Sequence, residues 1–107
     1  MFYDFPKDFK ELEPFPGALL RVISGQRVML SHVTLRPNSE VPLHSHPEEQ
    51  MGVVLEGEVE FTIGNETKLL KKGNAFLAPS NTTHGGVAGA DGAVVQDVFS
   101  PPREAYK

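Results

Sequence analysis

The spacing of the apolar runs is the feature that most constrains how this chain can fold. From Gly17 onward, apolar runs of four to eight residues are separated by Gly, Pro, Asn and Ser. This pattern is typical of short strands joined by turns. In one run Val59, Phe61 and Ile63 alternate with polar residues, as in a strand with one buried face. No window has helical periodicity, so the sequence predicts an all-β protein.

Eight strands are predicted, and turns separate them. The strands span residues 18–24, 27–36, 49–55, 58–63, 66–70, 75–78, 85–88 and 93–99. Hairpin turns are predicted at Gly25-Gln26, at Gly57 and at Gly64-Asn65. Short strands at regular spacing favour a small sandwich or barrel. A chain of 107 residues has the length of one domain.

The first seventeen residues differ in composition from the rest of the chain. They contain four of the seven phenylalanines, together with Pro6, Pro14 and Pro16, which interrupt regular structure. A solvated tail would not carry so many aromatic side chains. We therefore predict an ordered arm over residues 1–17, which packs on its own domain or on a second subunit. The main domain is predicted over residues 18–107.

Composition argues against several functional classes. The net charge is −4 and no run of Lys or Arg is present, so a nucleic-acid partner is not expected. The absence of cysteine excludes disulfides, thiolate metal sites and a cysteine nucleophile. No apolar run approaches the roughly 20 residues that a membrane span requires, and no signal-peptide pattern is visible. We expect a cytoplasmic protein without a membrane partner, in which nitrogen and oxygen atoms would hold any metal.

The sharpest local feature is a His-Ser-His-Pro-Glu-Glu-Gln segment. Alternate side chains of an extended chain project from one face, so His44 and His46 can reach one metal ion. Gln50 offers a further ligand, and Glu49 is the alternative if the register shifts. His84 follows a proline-containing turn and would add a third imidazole from another strand. Because three histidines and a glutamine carry no charge, a divalent ion there would keep its full charge and favour an anionic substrate.

These segments resemble the two sequence motifs of the cupin superfamily. The matching positions are His44, His46, Gly57, Gly73, Pro79 and His84, whereas Asn38, Gln50, Asn81 and Ala88 depart from the pattern. The resemblance implies a single jelly-roll β-barrel of the cupin type, preceded by the aromatic-rich arm. Small cupins bury much apolar surface between subunits, so it also implies a homodimer with the arm at or near the contact.

A narrower resemblance, from about residue 18 to the end, is to the pectin-degradation cupins. It rests on the His-Ser-His-Pro-x-Glu-Gln segment, on Val-Leu-Glu-Gly-Glu at 54–58 and on Asp-Val-Phe-Ser-Pro-Pro-Arg-Glu at 97–104. Those proteins open 4,5-unsaturated uronates to the linear keto-deoxy acid, and in them glutamine is an accepted ligand. The resemblance therefore implies one divalent ion held by His44, His46, Gln50 and His84. Zinc, nickel, manganese and iron all suit nitrogen and oxygen ligands. Glu48 is a departure, because the family often has histidine at that position.

The C-terminal tail supplies three further candidates. Asp97 and Phe99 are two residues apart on a predicted strand, so they share one face. Burying an unpaired aspartate is costly, whereas in a metal-containing cavity Asp97 would act as general acid or base. Phe99 would pack on a sugar ring, and Arg103 would bind a carboxylate. These residues predict a metal-dependent isomerase or lyase acting on a small anionic sugar acid.

Two other functions stay open at this level. One is a metal-dependent cupin dioxygenase, which would need a redox-active metal and an open coordination position for oxygen. The other is a cupin that binds a small molecule without catalysis. The cupin motifs do not distinguish between these functions, because one fold hosts many chemistries.

Overall fold

A computed structural model describes residues 1–107. The regular secondary structure of the chain is almost entirely strand, which confirms the all-β prediction. The strands are β1 (Lys10–Phe15), β2 (Ala18–Ser24), β3 (Met29–Leu35), β4 (Glu40–His44), β5 (Glu49–Ile63), β6 (Glu66–Lys71), β7 (Ala75–Ala78) and β8 (His84–Ser100). A short 3-10 turn, Glu104–Tyr106, follows β8. None of its helical structure is long and apolar enough to cross a membrane.

The strands form one curled antiparallel sheet. Its order is β1-β2-β3-β8-β5-β6, with β4 paired to β8 and β7 paired to β5. The end strands β1 and β6 do not pair, so hydrogen bonds do not close the predicted barrel. Buried side chains from β2, β3, β5 and β8, among them Leu20, Val33, Val54 and Val95, form the core. An interior cavity is lined from six strands, β3 to β8, so the sheet curls around a common interior.

The two longest strands explain where the sequence prediction differs from the structure. The predicted pair 49–55 and 58–63 forms the single strand β5, and 85–88 and 93–99 both lie within β8. The hairpin turn predicted at Gly57 is therefore wrong. Gly57 lies where the register between β5 and β8 shifts, with φ of 73°. A Cβ atom at Gly57 would collide with the backbone of Gly92, so glycine lets the two strands approach while β5 bends.

Two short strands, β1 and β4, have no counterpart in the prediction. Each contains a proline, Pro14 in β1 and Pro42 in β4, and each pairs with a break in register. Proline removes a ladder hydrogen bond and is confined to edge strands or bulges. The interrupted patterns of these segments therefore gave no strand signal.

The N-terminal residues pack on the outside of the sheet. Strand β1 pairs with β2 and so belongs to the same sheet as the rest of the chain. Before it, the ring of Phe5 lies 4.6 Å from the ring of His32 and 5.4 Å from Cζ of Arg21. Met1 and Phe2 are fully exposed. The division into an arm (1–17) and a main domain (18–107) stays a prediction.

Candidate metal centre

Three histidines converge beside the interior cavity, and two of them, His44 and His84, line it. His44 ends β4, His84 begins β8, and the two residues are directly paired in the sheet. His46 lies in the loop after β4. The ring centroids are 4.5 Å apart for His44 and His84, 4.8 Å for His46 and His84, and 5.5 Å for His44 and His46. One ring nitrogen from each residue lies within 4.8 Å of the others, so the three could hold one ion.

A backbone carbonyl group orients each imidazole. The Nδ1 atoms of His44, His46 and His84 lie 2.8, 2.9 and 2.8 Å from the carbonyl oxygens of Pro42, Glu48 and Thr82, respectively. Because a carbonyl oxygen only accepts hydrogen bonds, each Nδ1 must donate one. In the neutral ring this leaves Nε2 with a free lone pair, which is the arrangement that metal-binding histidines adopt.

Gln50 adds an oxygen atom to this set. Its Oε1 lies 3.1 Å from Nε2 of His46 and 3.0 Å from Nε2 of His84, and those two nitrogens are 3.1 Å apart. The Gln50 amide nitrogen donates to Oδ2 of Asp97 at 3.1 Å, which orients the amide. Three lone-pair atoms therefore face one another with no hydrogen between them. A cation would remove this repulsion, so the residues fit a divalent metal ion with nitrogen and oxygen ligands.

Electrostatics keep the imidazoles neutral. Desolvation by burial lowers the pKa of His44 and of His46, and it lowers the pKa of His84 to about 4. The positive charge of Arg103 lowers the pKa of all three histidines further. At neutral pH the rings are thus in the neutral form, with a free lone pair on Nε2, that a metal requires.

Side chains of β5 alternate between its two faces, and this distinguishes Gln50 from Glu49 as a candidate metal ligand. Gln50 is 7% exposed and lines the cavity, whereas Glu49 is exposed on the other face. Glu48 is mostly buried, and its Oε1 atom lies 3.4 Å from Nδ1 of His46, behind the ring rather than on its Nε2 side. Of the two candidate ligands, the geometry therefore favours Gln50.

Asp97 lies beside the histidine cluster, on β8. Its side chain is 7% exposed and lines the same cavity as Gln50 and His84. Oδ2 accepts the hydrogen bond from Gln50, while Oδ1 is buried and has no partner. Desolvation raises the pKa of Asp97 to about 7, against the opposing effect of the Gln50 hydrogen bond. A carboxyl group in this state can both give and take a proton near neutral pH.

Phe99 and Arg103 also lie close to the histidines. The ring of Phe99 is buried and its centroid is 5.7 Å from that of His46. Arg103 is half-buried, and its Nη1 atom is buried without a partner. Asp97 and Phe99 also line a second, smaller cavity next to His44. The structure thus brings His44, His46, Gln50, His84, Asp97 and Phe99 together through contacts, and it places Arg103 near enough for its charge to act on the three histidines.

The sequence analysis missed several aromatic residues near the site, among them Phe15 and Tyr106. Phe15 on β1 has its ring 5.6 Å from that of His44. Tyr106 is 6% exposed, and Cζ of Arg103 lies 4.6 Å from its ring centroid. Phe15 was assigned to the arm rather than to the site. Tyr106 could have been recognised from the sequence, because it is an aromatic residue three positions after Arg103 in an otherwise polar tail.

A curled antiparallel sheet with a His-x-His segment and a third histidine from another strand defines a cupin with a candidate metal centre. Residues 31–96 match the Cupin_2 family, described as a cupin domain, and the chain belongs to this family. It is a small cupin that resembles KdgF. It is 39% identical to the pectin degradation protein KdgF of Dickeya dadantii over 64 residues, which cover 59% of this chain and 58% of that protein.

A second relative is the H2HPP isomerase of Bacillus subtilis. The two chains are 41% identical over 59 residues, which cover 54% of this chain and 24% of the isomerase. The matched segments thus span less than two thirds of the length of either curated relative.

Solved structures extend the likeness over almost the whole chain. KdgF from Halomonas sp. has a TM-score of 0.87 and 27% identity, with 98% of this chain and 97% of that chain covered. AerE from Microcystis aeruginosa has a TM-score of 0.82 and 28% identity, covering 89% of this chain and 46% of that one. An RmlC-like cupin from Shewanella frigidimarina has a TM-score of 0.90, covers 100% of this chain and 96% of that one, and at 24% identity supports the fold alone.

Proposed function

We propose that this cupin opens the ring of a 4,5-unsaturated uronate and converts it to the linear keto-deoxy acid. One relationship carries the proposal: Asp97, a buried carboxyl group with an unpaired oxygen, lies beside three converging lone-pair atoms and lines the same cavity. Similarity to two KdgF proteins, one of them named for pectin degradation, supports the substrate class.

His44, His46, Gln50 and His84 would hold the divalent ion. The bound ion would supply Lewis-acid and orienting chemistry toward substrate oxygen atoms. The reaction has no redox step, so zinc, nickel, manganese and iron are all compatible with it. The four ligands are uncharged, and this favours a substrate that brings its own negative charge.

Asp97 would transfer the proton, and Phe99 and Arg103 would bind the sugar acid. The reaction is an isomerisation: the hydroxyl group on C1 loses its proton, the bond between C1 and the ring oxygen breaks, and C4 gains a proton. Asp97 Oδ1 has no hydrogen-bond partner, so it is free to take and return a proton. Phe99 would offer an apolar face to the sugar ring. Arg103 Nη1, also without a partner, would donate to the substrate carboxylate.

An absorbance assay tests this function. Metal-loaded protein is mixed with 4,5-unsaturated galacturonate, whose conjugated double bond absorbs in the ultraviolet and is lost on ring opening. We expect loss of absorbance faster than in a protein-free blank, and a return to the blank rate with a chelator or in the His84→Ala variant. His32→Ala is the matched control, because His32 lies on the outer face against Phe5. Loss at the blank rate with metal-loaded protein would overturn the proposal.

We also propose that the protein is a homodimer formed through the outer face of the sheet. The register of β3, β8, β5 and β7 aligns Leu30, Val98, Met51 and Leu77 in one row, and all four side chains are exposed. The ring of His32 contacts the ring of Phe5 in the arm. His32 lies two residues from Leu30 and therefore on the same face of the sheet. An exposed apolar row beside an arm with exposed aromatic residues suits a second copy of this chain. Across a two-fold axis, the row and arm of one subunit would face the row and arm of the other.

A further inference from the structure

The chain returns to the candidate site after β8. Arg103 follows the end of β8, and the 3-10 turn brings Tyr106 back against the body of the protein. The Tyr106 ring meets the Phe99 ring edge-on, at 5.7 Å between centroids and 82° between planes. Its backbone N–H donates to the carbonyl of Arg103 at 3.0 Å. Since Phe99 lies in the core, the fold itself holds the Tyr106 ring in place.

The guanidinium of Arg103 lies over that ring. Its Cζ atom is 4.6 Å from the Tyr106 centroid, within the range of a cation–π contact. Arg103 forms none of the ion pairs in this chain, and its Nη1 is buried without a partner. A buried cationic donor without a partner is costly, and a carboxylate is the partner that matches guanidinium geometry best.

We infer that Tyr106 is a positioning residue, whose ring holds the Arg103 guanidinium where it binds the carboxylate of a sugar acid. The face of the ring carries this role, so phenylalanine can replace Tyr106 and an aliphatic residue cannot. Selectivity for an acidic over a neutral sugar then depends on a side chain that is not itself one of the four candidate metal ligands. The inference rests on the proposed function for its substrate class only.

Calorimetry with a sugar acid that cannot react tests this inference. Zinc-loaded protein is titrated with D-galacturonate, which lacks the 4,5 double bond, and with neutral D-galactose. We expect galacturonate to bind more tightly than galactose. Tyr106→Leu should weaken galacturonate binding by about 2- to 12-fold, the cost of ordering one flexible side chain on binding, and leave galactose binding unchanged. Tyr106→Phe should behave as the wild type, and Arg103→Ala should abolish the preference for galacturonate.

Two controls separate positioning from general packing. Tyr3→Leu changes the only other tyrosine, which lies in the exposed N-terminal segment, and should have no effect. If Tyr106→Leu does not fold, pentafluorophenylalanine at position 106 keeps the ring shape but reverses its charge distribution, and should also weaken galacturonate binding selectively.

Three results would overturn the inference. The first is equal binding of galacturonate and galactose by the wild type. The second is unchanged galacturonate binding by both Tyr106→Leu and the pentafluorophenylalanine variant. The third is equal weakening of galacturonate and galactose binding in these variants. The absorbance assay is independent of this measurement. If no absorbance is lost but the preference for galacturonate depends on Tyr106, the proposed reaction is rejected and the inference stands. If Tyr106→Leu turns over the unsaturated uronate with an unchanged KM, the reaction stands and the inference is rejected.

Discussion

Gln50 donates a hydrogen bond from Nε2 to Oδ2 of Asp97 at 3.1 Å, while its Oε1 lies 3.0 Å from Nε2 of His84. One amide group therefore links the candidate metal centre to the candidate proton-transfer residue. A glutamate has no N–H to donate. The contact with Asp97 thus gives a physical reason for an amide at this position, in addition to the neutral charge of the ligand set.

Gln50→Glu would replace that donor with a second carboxylate. Two carboxyl groups at hydrogen-bond distance cannot both ionise without strong repulsion. We expect a variant that still binds metal, because a carboxylate oxygen is a suitable ligand, but whose turnover falls at least tenfold. Metal content and the absorbance assay measure the two effects. Glu49→Gln, on the exposed neighbour, is the matched control, and wild-type turnover in Gln50→Glu would contradict the prediction.

Asp97→Asn tests the proton-transfer role. The amide keeps the shape of the side chain but can no longer take a proton, so we expect turnover to fall by about 10²- to 10⁴-fold with the metal retained. Metal analysis of the purified variant shows whether the site is intact. Asp91→Asn changes an exposed aspartate and should remain fully active. A fully active Asp97→Asn would reject the assigned role.

Metal removal should lower thermal stability. A ligand present at 100 times its Kd stabilises the folded state by about 2.7 kcal/mol. For a domain of this size, that raises Tm by about 10–20 °C. We expect this difference between zinc-loaded and chelator-treated wild type in a calorimetric scan. The difference should vanish in His84→Ala and persist in His32→Ala; a difference that survives in His84→Ala would place the metal elsewhere.

Gly52→Ala should displace the Asp97 side chain and destabilise the fold. Gly52 pairs with Asp97 on one side and with Phe76 on the other, and an added Cβ would collide with Oδ1 of Asp97 and with the Phe76 ring. We expect a loss of about 1–3 kcal/mol in the free energy of unfolding, as for other overpacked sites, together with reduced turnover. Gly89→Ala is the control, because its nearest neighbour would be 3.6 Å away. Equal stability of the two variants in denaturant titrations would contradict this account.

Met51→Lys should dissociate the proposed dimer. The substitution places a charge in the middle of the exposed apolar row, where a second copy would have to bury it. Sedimentation analysis should give the dimer mass for the wild type and the monomer mass for the variant. Leu69→Lys changes an exposed leucine on β6, outside the row, and should remain dimeric. A monomeric wild type, or a dimeric Met51→Lys, would reject this interface.

Much of the candidate site could be predicted because its signals are local. Asp97 and Phe99 share one face of β8 through their two-residue spacing, and His46 follows His44 at the same spacing, although it lies in the loop after β4. His84 was recognisable as the third imidazole from its place after a proline-containing turn and in the cupin motif. Gly57 was misread as a turn because glycine permits both a hairpin and a bulge, and only the pairing of β5 with β8 distinguishes them.

The sequence by itself determined that the chain is all-β, which segments form six of its eight strands, and which residue types could bind a metal, since these depend on neighbours along the chain. Tertiary structure alone decided that Gln50 rather than Glu49 turns inward, that its amide reaches Asp97, and that the Tyr106 ring packs against Phe99 of β8. Each of these contacts joins a residue to a partner in another element. They depend on strand register, and a slip of one residue would turn every side chain of a strand to the opposite face.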